Sequence, residues 1–173
     1  MSFLVAWRFL TAIPVGRRDL AIERPGRSMA WFPLVGLIIG ALLVLVDSAL
    51  VRLLPSLPAT ALLLVTWVAI TGALHLDGFI DCCDGLLVPK PAEQRLEIMK
   101  DSRVGAFGVV GAICLLLVKF SGLAALAPDE RLGWLLIVPA LSRWTMVWAA
   151  WRYPSARHDG LAVWFRQGVG WSH

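Results

Sequence analysis

Three aspartates with helical spacing lie in the segment 75–85, which reads HLDGFIDCCDG. Asp81 and Asp84 follow Asp77 at offsets of four and seven, so a helix turning about 100° per residue gathers all three within an arc of roughly 60°. Three neighbouring anions repel one another, and a divalent cation held among them would keep them ionised. Carboxylate oxygens suit Mg²⁺ or Mn²⁺ better than zinc, and Mg²⁺ usually shares its coordination shell with substrate phosphates. The spacing therefore predicts a metal site that acts on a phosphorylated substrate.

A second group of charged residues follows further along the chain. Asp101 is a fourth acid that we expect on the same membrane face, and Arg103 offers a guanidinium that could bind phosphate. A surface ion pair between these two residues is the alternative interpretation. Lys119 and Arg143 fall inside apolar segments, where charges are costly and usually face protein or a water-filled cavity, so both are candidate functional residues. Snorkelling of Lys119 and pairing of Arg143 with a neighbouring helix are the structural alternatives.

The composition indicates the scaffold that holds these residues. Of 173 residues, 58% are hydrophobic and 16% are charged, which is more apolar than a soluble globular domain. Four apolar segments approach the roughly 20 residues that cross a bilayer, namely 31–54, 57–76, 104–127 and 132–151. We predict an all-α fold, a polytopic integral membrane helical bundle of about four transmembrane helices. A short N-terminal helix within 1–15 and a cytoplasmic amphipathic helix within 92–103 complete a single membrane-embedded domain, residues 1–173.

Basic residues predict the orientation of this bundle. If the N-terminus, the loop 77–103 and the C-terminal tail share one side, most lysines and arginines lie there, against Arg52 and Arg131 opposite. By the positive-inside rule the basic side is cytoplasmic, which puts the acids at the cytoplasmic face. The net charge of +4 thus reflects topology, and because we find no basic stripe, we expect no nucleic acid as a partner. The lipid bilayer is the expected environment.

Small residues are expected to serve helix packing. Gly36 and Gly40 have the spacing of four that lets membrane helices approach closely, which weakly favours a contact face on the first span. The cysteines have no metal-binding spacing, and we interpret Cys82, Cys83 and Cys114 as small packing residues.

Several segments together resemble one known family. They read RSMAWFPLVG at 27–36, GALHLDGFIDCCDG at 72–85 and RLEIMKDSRVG at 95–105, and they are followed by Lys119 and by RHDG at 157–160. In this order and separation they are similar to the motifs of the cobalamin synthases, the adenosylcobinamide-GDP ribazoletransferase family. The resemblance covers essentially the whole chain. Members of that family generally continue for further membrane helices, so this chain is shorter at its C-terminus than the family it resembles.

The resemblance implies a Mg²⁺-dependent enzyme in the cytoplasmic (inner) membrane of a bacterium, with its active site facing the cytoplasm. It would transfer the adenosylcobinamide-phosphate group of adenosylcobinamide-GDP to α-ribazole or α-ribazole 5′-phosphate, releasing GMP and forming adenosylcobalamin or its 5′-phosphate. The implied catalytic residues and metal ligands are Asp77, Asp81, Asp84 and Asp101, with Asp84 as a candidate general base. The implied substrate-binding residues are Arg103, Lys119, Arg27, Arg157 and His75.

Other functions fit part of the same pattern. A CDP-alcohol phosphotransferase or a prenyltransferase shares the chemistry of metal and diphosphate, although Phe79-Ile80-Asp81 after the first Asp-Gly pair departs from the signature of the lipid enzymes. A non-catalytic divalent-cation membrane subunit would use the acids as an ion site facing a path across the bilayer. A homo-oligomer stays open as an alternative to a monomer.

Overall fold

The computed structural model describes residues 2–16, 25–156 and 160–166. Within these ranges the chain forms eight α-helices, one 3₁₀ helix and no strand. The 3₁₀ helix is Pro25–Trp31, and the α-helices are α1 (Ser2–Leu10), α2 (Phe32–Leu53), α3 (Ser56–Ile70), α4 (Leu74–Leu86), α5 (Ala92–Ile98), α6 (Ala106–Ala125), α7 (Pro128–Arg152) and α8 (Leu161–Arg166). The predicted all-α membrane bundle is confirmed. The amphipathic helix is present as α5, and it ends before Asp101.

Within the described ranges three continuous helices are long and apolar enough to cross a membrane. They are Gly26–Leu53, which joins most of the 3₁₀ helix to α2, and the helices α6 and α7. Among the same residues α3 and α4 make a fourth span when they are counted together, and these two helices are bent by 89° relative to each other. The span predicted over 57–76 is not one continuous helix, because α3 ends at Ile70. The acidic segment lies on a separate helix that runs nearly perpendicular to α3.

The bend between α3 and α4 is made by two residues with left-handed backbone geometry. Gly72 has φ +58° and Ala73 has φ +57°, a conformation that glycine adopts freely and that costs alanine roughly 1–2 kcal/mol. The carbonyl of Ile70 at the end of α3 accepts the backbone N–H of Ala12 at 2.8 Å. The chain after α1 thus supports the end of α3, where the direction of the backbone changes.

The N-terminal helix packs on one side of the bundle with the 3₁₀ helix and α8. Its contact is aromatic: Phe9 stacks on Phe32 with ring centroids 5.8 Å apart, and Phe165 lies 4.6 Å from Phe9 and 5.6 Å from Phe32. Each such ring pair adds about 0.5–1.5 kcal/mol to the free energy of burial. The predicted N-terminal helix is confirmed and is part of the packed core.

The tightest helix contact joins α2 to α7. Gly36 and Gly40 face the backbone of α7, and a Cβ at Gly40 would lie 2.6 Å from the carbonyl oxygen of Leu135. A Cβ at Gly36 would collide with the carbonyl of Pro139. The contact face predicted from the spacing of the two glycines is confirmed, because their missing side chains allow this close approach.

A buried polar group connects four helices near the turn between α6 and α7. Arg131 of α7 forms an ion pair with Asp47 in α2, with Nη2 2.7 Å from Oδ1. Its Nη1 donates to Thr60 Oγ1 of α3 at 3.0 Å and to the carbonyl of Leu123 in α6 at 3.5 Å. Removing one partner of such a buried pair costs about 3–5 kcal/mol, since the other charge stays buried. The sequence did not predict this pair.

The α2–α7 contact predicts an asymmetric response to added methyl groups. We expect Gly40→Ala to lower the free energy of unfolding by about 1–3 kcal/mol, because its Cβ would meet the α7 backbone. Gly133→Ala in α7 is the matched control, since a Cβ there meets nothing within 4 Å. Thermal unfolding in mild detergent measures both variants. Equal unfolding temperatures for the two would contradict the described contact.

Candidate active site

The acidic helix α4 packs against the first turns of α6. Asp84 is buried at this contact, with Oδ2 accepting the backbone N–H of Gly105 and Oδ1 accepting that of Gly108, both at 2.8 Å. These amides belong to the N-terminal end of α6, where backbone donors lack helical partners and the helix dipole favours an anion. The carboxylate of Asp84 therefore caps α6 from a different helix and fixes α4 against it.

The other two acids of α4 are more accessible. Asp77 is exposed and Asp81 is half-buried, one turn further along the same helix. Residues four apart on a helix have Cβ atoms about 5–6 Å apart. These two carboxylates can therefore act on one ligand beside α4, while Asp84 is directed into the contact with α6.

Asp101 and Arg103 form an exposed ion pair in the loop between α5 and α6. Arg103 Nη2 donates to Asp101 Oδ2 at 2.6 Å, its Nε lies 3.1 Å from both carboxylate oxygens, and its backbone N–H donates to Oδ1 at 3.0 Å. The hydrogen bonds from the Arg103 side chain and backbone lower the pKa of Asp101 from 3.8 to about 2. In return, Asp101 raises the pKa of Arg103. The surface ion pair considered from the sequence is the arrangement found.

The four acids do not converge on one point. In the described part of the chain no group of three or more histidine, cysteine or acidic side chains is arranged to hold a metal ion. The four predicted ligands are not gathered in this arrangement, because Asp84 caps α6 and Asp101 pairs with Arg103. Their role as metal ligands stays a prediction. Mg²⁺ is commonly bound by one or two carboxylates together with substrate phosphates. Asp77 and Asp81 fit that smaller donor set.

The predicted substrate-binding residues lie on several elements. His75, in the first turn of α4, has Nε2 3.2 Å from Sδ of Met146 in α7. Lys119 in α6 is exposed and holds Nζ 5.0 Å from the ring centroid of Trp67. Arg27 is exposed on the 3₁₀ helix, and Arg157 lies outside the described residues. His75 thus shares α4 with Asp77, Asp81 and Asp84, and Arg27 lies on a separate element.

Comparison with known proteins gives the family. A family model described as Cobalamin-5-phosphate synthase matches residues 2–173. The adenosylcobinamide-GDP ribazoletransferase of Geotalea daltonii is 43% identical over 171 residues, covering 97% of this chain and 68% of that protein. The chain belongs to the cobalamin-5-phosphate synthase family. The resemblance predicted from the acidic motifs is confirmed.

Other members of the cobalamin-5-phosphate synthase family match at similar identity. The adenosylcobinamide-GDP ribazoletransferase of Desulfitobacterium hafniense is 41% identical over 167 residues, covering 94% of this chain and 66% of its own length. That of Brevibacillus brevis is 43% identical over 157 residues, with 90% and 64% covered. The chain therefore spans about two thirds of the length of the curated relatives it matches. No solved structure matches the chain.

Asp84 and Asp77 should respond differently to loss of charge. Asp84→Asn keeps the shape of the side chain but turns an amide NH₂ toward one of the two N–H donors of α6. We expect a loss of about 1–3 kcal/mol in the free energy of unfolding for the unsatisfied donor. The exposed Asp77→Asn should change it by less than about 0.5 kcal/mol. Chemical denaturation in detergent measures both, and equal losses would contradict the capping role of Asp84.

The Asp101 ion pair predicts a specific pH dependence. The pKa of Asp101 in the folded protein is lowered to about 2. The ion pair therefore contributes to the free energy of unfolding above the ordinary pKa of 3.8, and this contribution is lost as the pH falls through about 2. A carboxyl-detected NMR titration should give a midpoint near 2 for Asp101. In Arg103→Gln the midpoint should return toward 3.8. The same midpoint in both proteins would show that Arg103 does not set the pKa.

Proposed function

We propose that this chain catalyses transfer of the adenosylcobinamide-phosphate group from adenosylcobinamide-GDP to α-ribazole or α-ribazole 5′-phosphate. The family, to which the chain belongs over residues 2–173, supports the substrate class. One observation supports placing the reaction at α4. This helix presents Asp77 and Asp81, and Asp84 fixes it to α6. Such an acidic face suits a metal-bound diphosphate.

The reaction is a phosphoryl transfer. A hydroxyl oxygen of the ribazole ribose forms a new bond to the phosphorus that carries the cobinamide arm, and the bond from that phosphorus to the oxygen of GMP breaks. GMP leaves with the electron pair, and the hydroxyl loses its proton. Charge develops on the equatorial and leaving oxygens, so positioning and electrostatic stabilisation supply most of the rate.

The residues of the chain divide these tasks in our proposal. Asp77 accepts the hydroxyl proton on the oxygen that does not hold the metal, because a base must be within reach of the substrate and this carboxylate is exposed. Asp84 is unsuited to that role, since it is buried and both of its oxygens accept amide hydrogens. Arg103 is exposed beside the start of α6 and would exchange its contact with Asp101 for substrate phosphate. Lys119 and His75 would bind phosphate on the membrane side.

Mg²⁺ is the proposed cofactor, held by Asp77 and Asp81. When bound, it would neutralise charge on the diphosphate of the substrate. We further propose that the chain lies in the cytoplasmic membrane with α4 at the cytoplasmic face, because that orientation puts most lysines and arginines inside. The apolar spans support residence in a bilayer.

The test is GMP release under single-turnover conditions, which detect a slow reaction. The chain is reconstituted in liposomes with adenosylcobinamide-GDP, α-ribazole and Mg²⁺, and GMP is measured over time. We expect release from the wild-type chain and a loss of at least about 100-fold in Asp77→Asn and in Asp81→Asn. Asp129→Asn is the matched control, because Asp129 is an exposed acid in the first turn of α7, far from α4 in the sequence.

Two outcomes would contradict the proposal. Equal GMP release from the wild-type protein and both α4 variants would show that Asp77 and Asp81 do not take part in the reaction. No release from the wild type, together with Mn²⁺ flux into the liposomes that depends on Asp77, would instead favour a cation-conducting subunit.

A further inference from the structure

The helix α3 is too short to join the two surfaces of a bilayer. It has 15 residues, which extend about 22 Å at about 1.5 Å per residue, whereas the hydrocarbon core is about 30 Å thick. Only Leu54 and Pro55 separate its first residue from α2, whose last turn carries the exposed charge of Arg52 and therefore lies at a membrane surface. The other end of α3 thus lies about 7 Å inside the hydrocarbon core.

The backbone at this inner end of α3 is satisfied without water. The last four carbonyls of a helix lack partners within the helix, and in lipid each unsatisfied group is costly. Here all four accept a backbone N–H of the protein at distances of 2.8 to 3.3 Å. The acceptors are residues 67–70, and the donors are Thr71, Gly72 and Ala73 of the bend and Ala12 after α1. The helix therefore ends in a form that suits an apolar medium.

The ends of α2 and α6 lack this arrangement. In the described ranges α2 is followed by one such bond, from the N–H of Leu54 to the carbonyl of Leu50 at 2.9 Å, and no backbone N–H beyond α6 reaches its last carbonyls. Carbonyls left open in this way can bind water, as expected for helix ends at a membrane surface. The contrast supports a position of the α3 end below the surface.

The contact with α6 gives the depth of α4 independently. With 20 residues, α6 extends about 30 Å and crosses the hydrocarbon core from its first residues onward. Asp84 accepts the amides of Gly105 and Gly108 at the start of this span. A Cβ at Gly111, about 9 Å further along α6 than Gly105, would lie 3.4 Å from the ring of Phe79. α4 therefore crosses the first two turns of α6, with Asp84 toward the membrane surface and Phe79 toward the middle of the membrane.

The side of α4 opposite the acids is apolar and exposed. Phe79 and Leu86 lie roughly 180° around the helix from Asp77. Their exposed fractions are 37% and 57%, so the described part of the protein leaves this side largely uncovered. Helices that lie in the membrane interface bury an apolar face about 5–10 Å into the boundary between headgroups and acyl chains. The faces of α4 and its depth beside α6 match this pattern.

We propose that α4 lies in the plane of the membrane and that the acyl chains of phospholipids cover its apolar side. α4 is then not the second half of a broken span. Acyl chains are the partner because the end of α3 and the level of Phe79 on α6 both put this side inside the hydrocarbon region. Asp77 and Asp81 face the opposite way, toward water, so lipid lies beneath the two accessible acids. This placement of α4 does not depend on the proposed reaction.

Photocrosslinking from defined positions tests this contact in the full chain. p-Benzoylphenylalanine, which joins nearby C–H groups on irradiation, replaces Phe79 or Leu86 in protein reconstituted in dioleoylphosphatidylcholine liposomes without substrate. Alkaline hydrolysis then cleaves the lipid esters, and mass spectrometry of the intact protein follows. We expect a mass increase of one oleic acid at both positions, because the crosslink forms on an acyl chain. A headgroup contact would instead leave glycerophosphocholine on the protein.

Two further positions serve as controls for the crosslinking. Val118 of α6 is 70% exposed within a membrane span and should give the oleic acid adduct, whereas the exposed Gln94 of α5 should give none. Leu86 decides the result if the probe at Phe79 disturbs the contact with α6. The proposal is overturned if Val118 gives the adduct while Leu86 gives glycerophosphocholine, no lipid or a crosslink to a second copy of the chain. An equal oleic acid adduct at Gln94 would also overturn it, whatever the result for GMP release.

Discussion

The acidic site depends on two hydrogen bonds, in which the carboxylate of Asp84 accepts backbone N–H groups at the start of α6. A short bend turns α4 to nearly a right angle with α3. The direction of α4 is therefore not set by α3. The hydrogen bonds to Gly105 and Gly108, each 2.8 Å, supply the missing constraint. They are charge-assisted and shielded from solvent, which makes them stronger than hydrogen bonds at the surface. One acid thus holds the helix that presents the other two.

Buried charges in the described part of the bundle are balanced by an opposite charge or a helix end, with one exception. Asp84 is balanced by the positive end of α6, and Asp47 is balanced by Arg131. Arg143 is the exception in the described part of the chain, since it is buried and its Nε has no hydrogen-bond partner there. Because burial makes an unpaired charge expensive, Arg143 carries a cost that its partners in the described ranges do not offset.

Much of the fold could be predicted from the sequence, because length, hydropathy and the spacing of small residues are local properties. The apolar spans and the contact through Gly36 and Gly40 are of this kind. The bend at Gly72 could not be predicted from the sequence, since the apolar run continues through this position without a proline. The different roles of the three α4 acids could not be predicted either, because periodicity gives a shared face but does not show which neighbour that face meets. The GxxG spacing of Gly105 and Gly108 was the available signal for the partner of Asp84.

The central claim is that Asp84 holds α4 against α6, while Asp77 and Asp81 bind the metal and the diphosphate. Its most direct test is an experimental structure of the full chain in a lipid nanodisc with Mn²⁺ and a non-hydrolysable diphosphate analogue. We predict that both oxygens of Asp84 stay within hydrogen-bond distance of the Gly105 and Gly108 amides, with the metal beside Asp77 and Asp81. A structure in which Asp84 has left those amides to coordinate the metal would contradict the account.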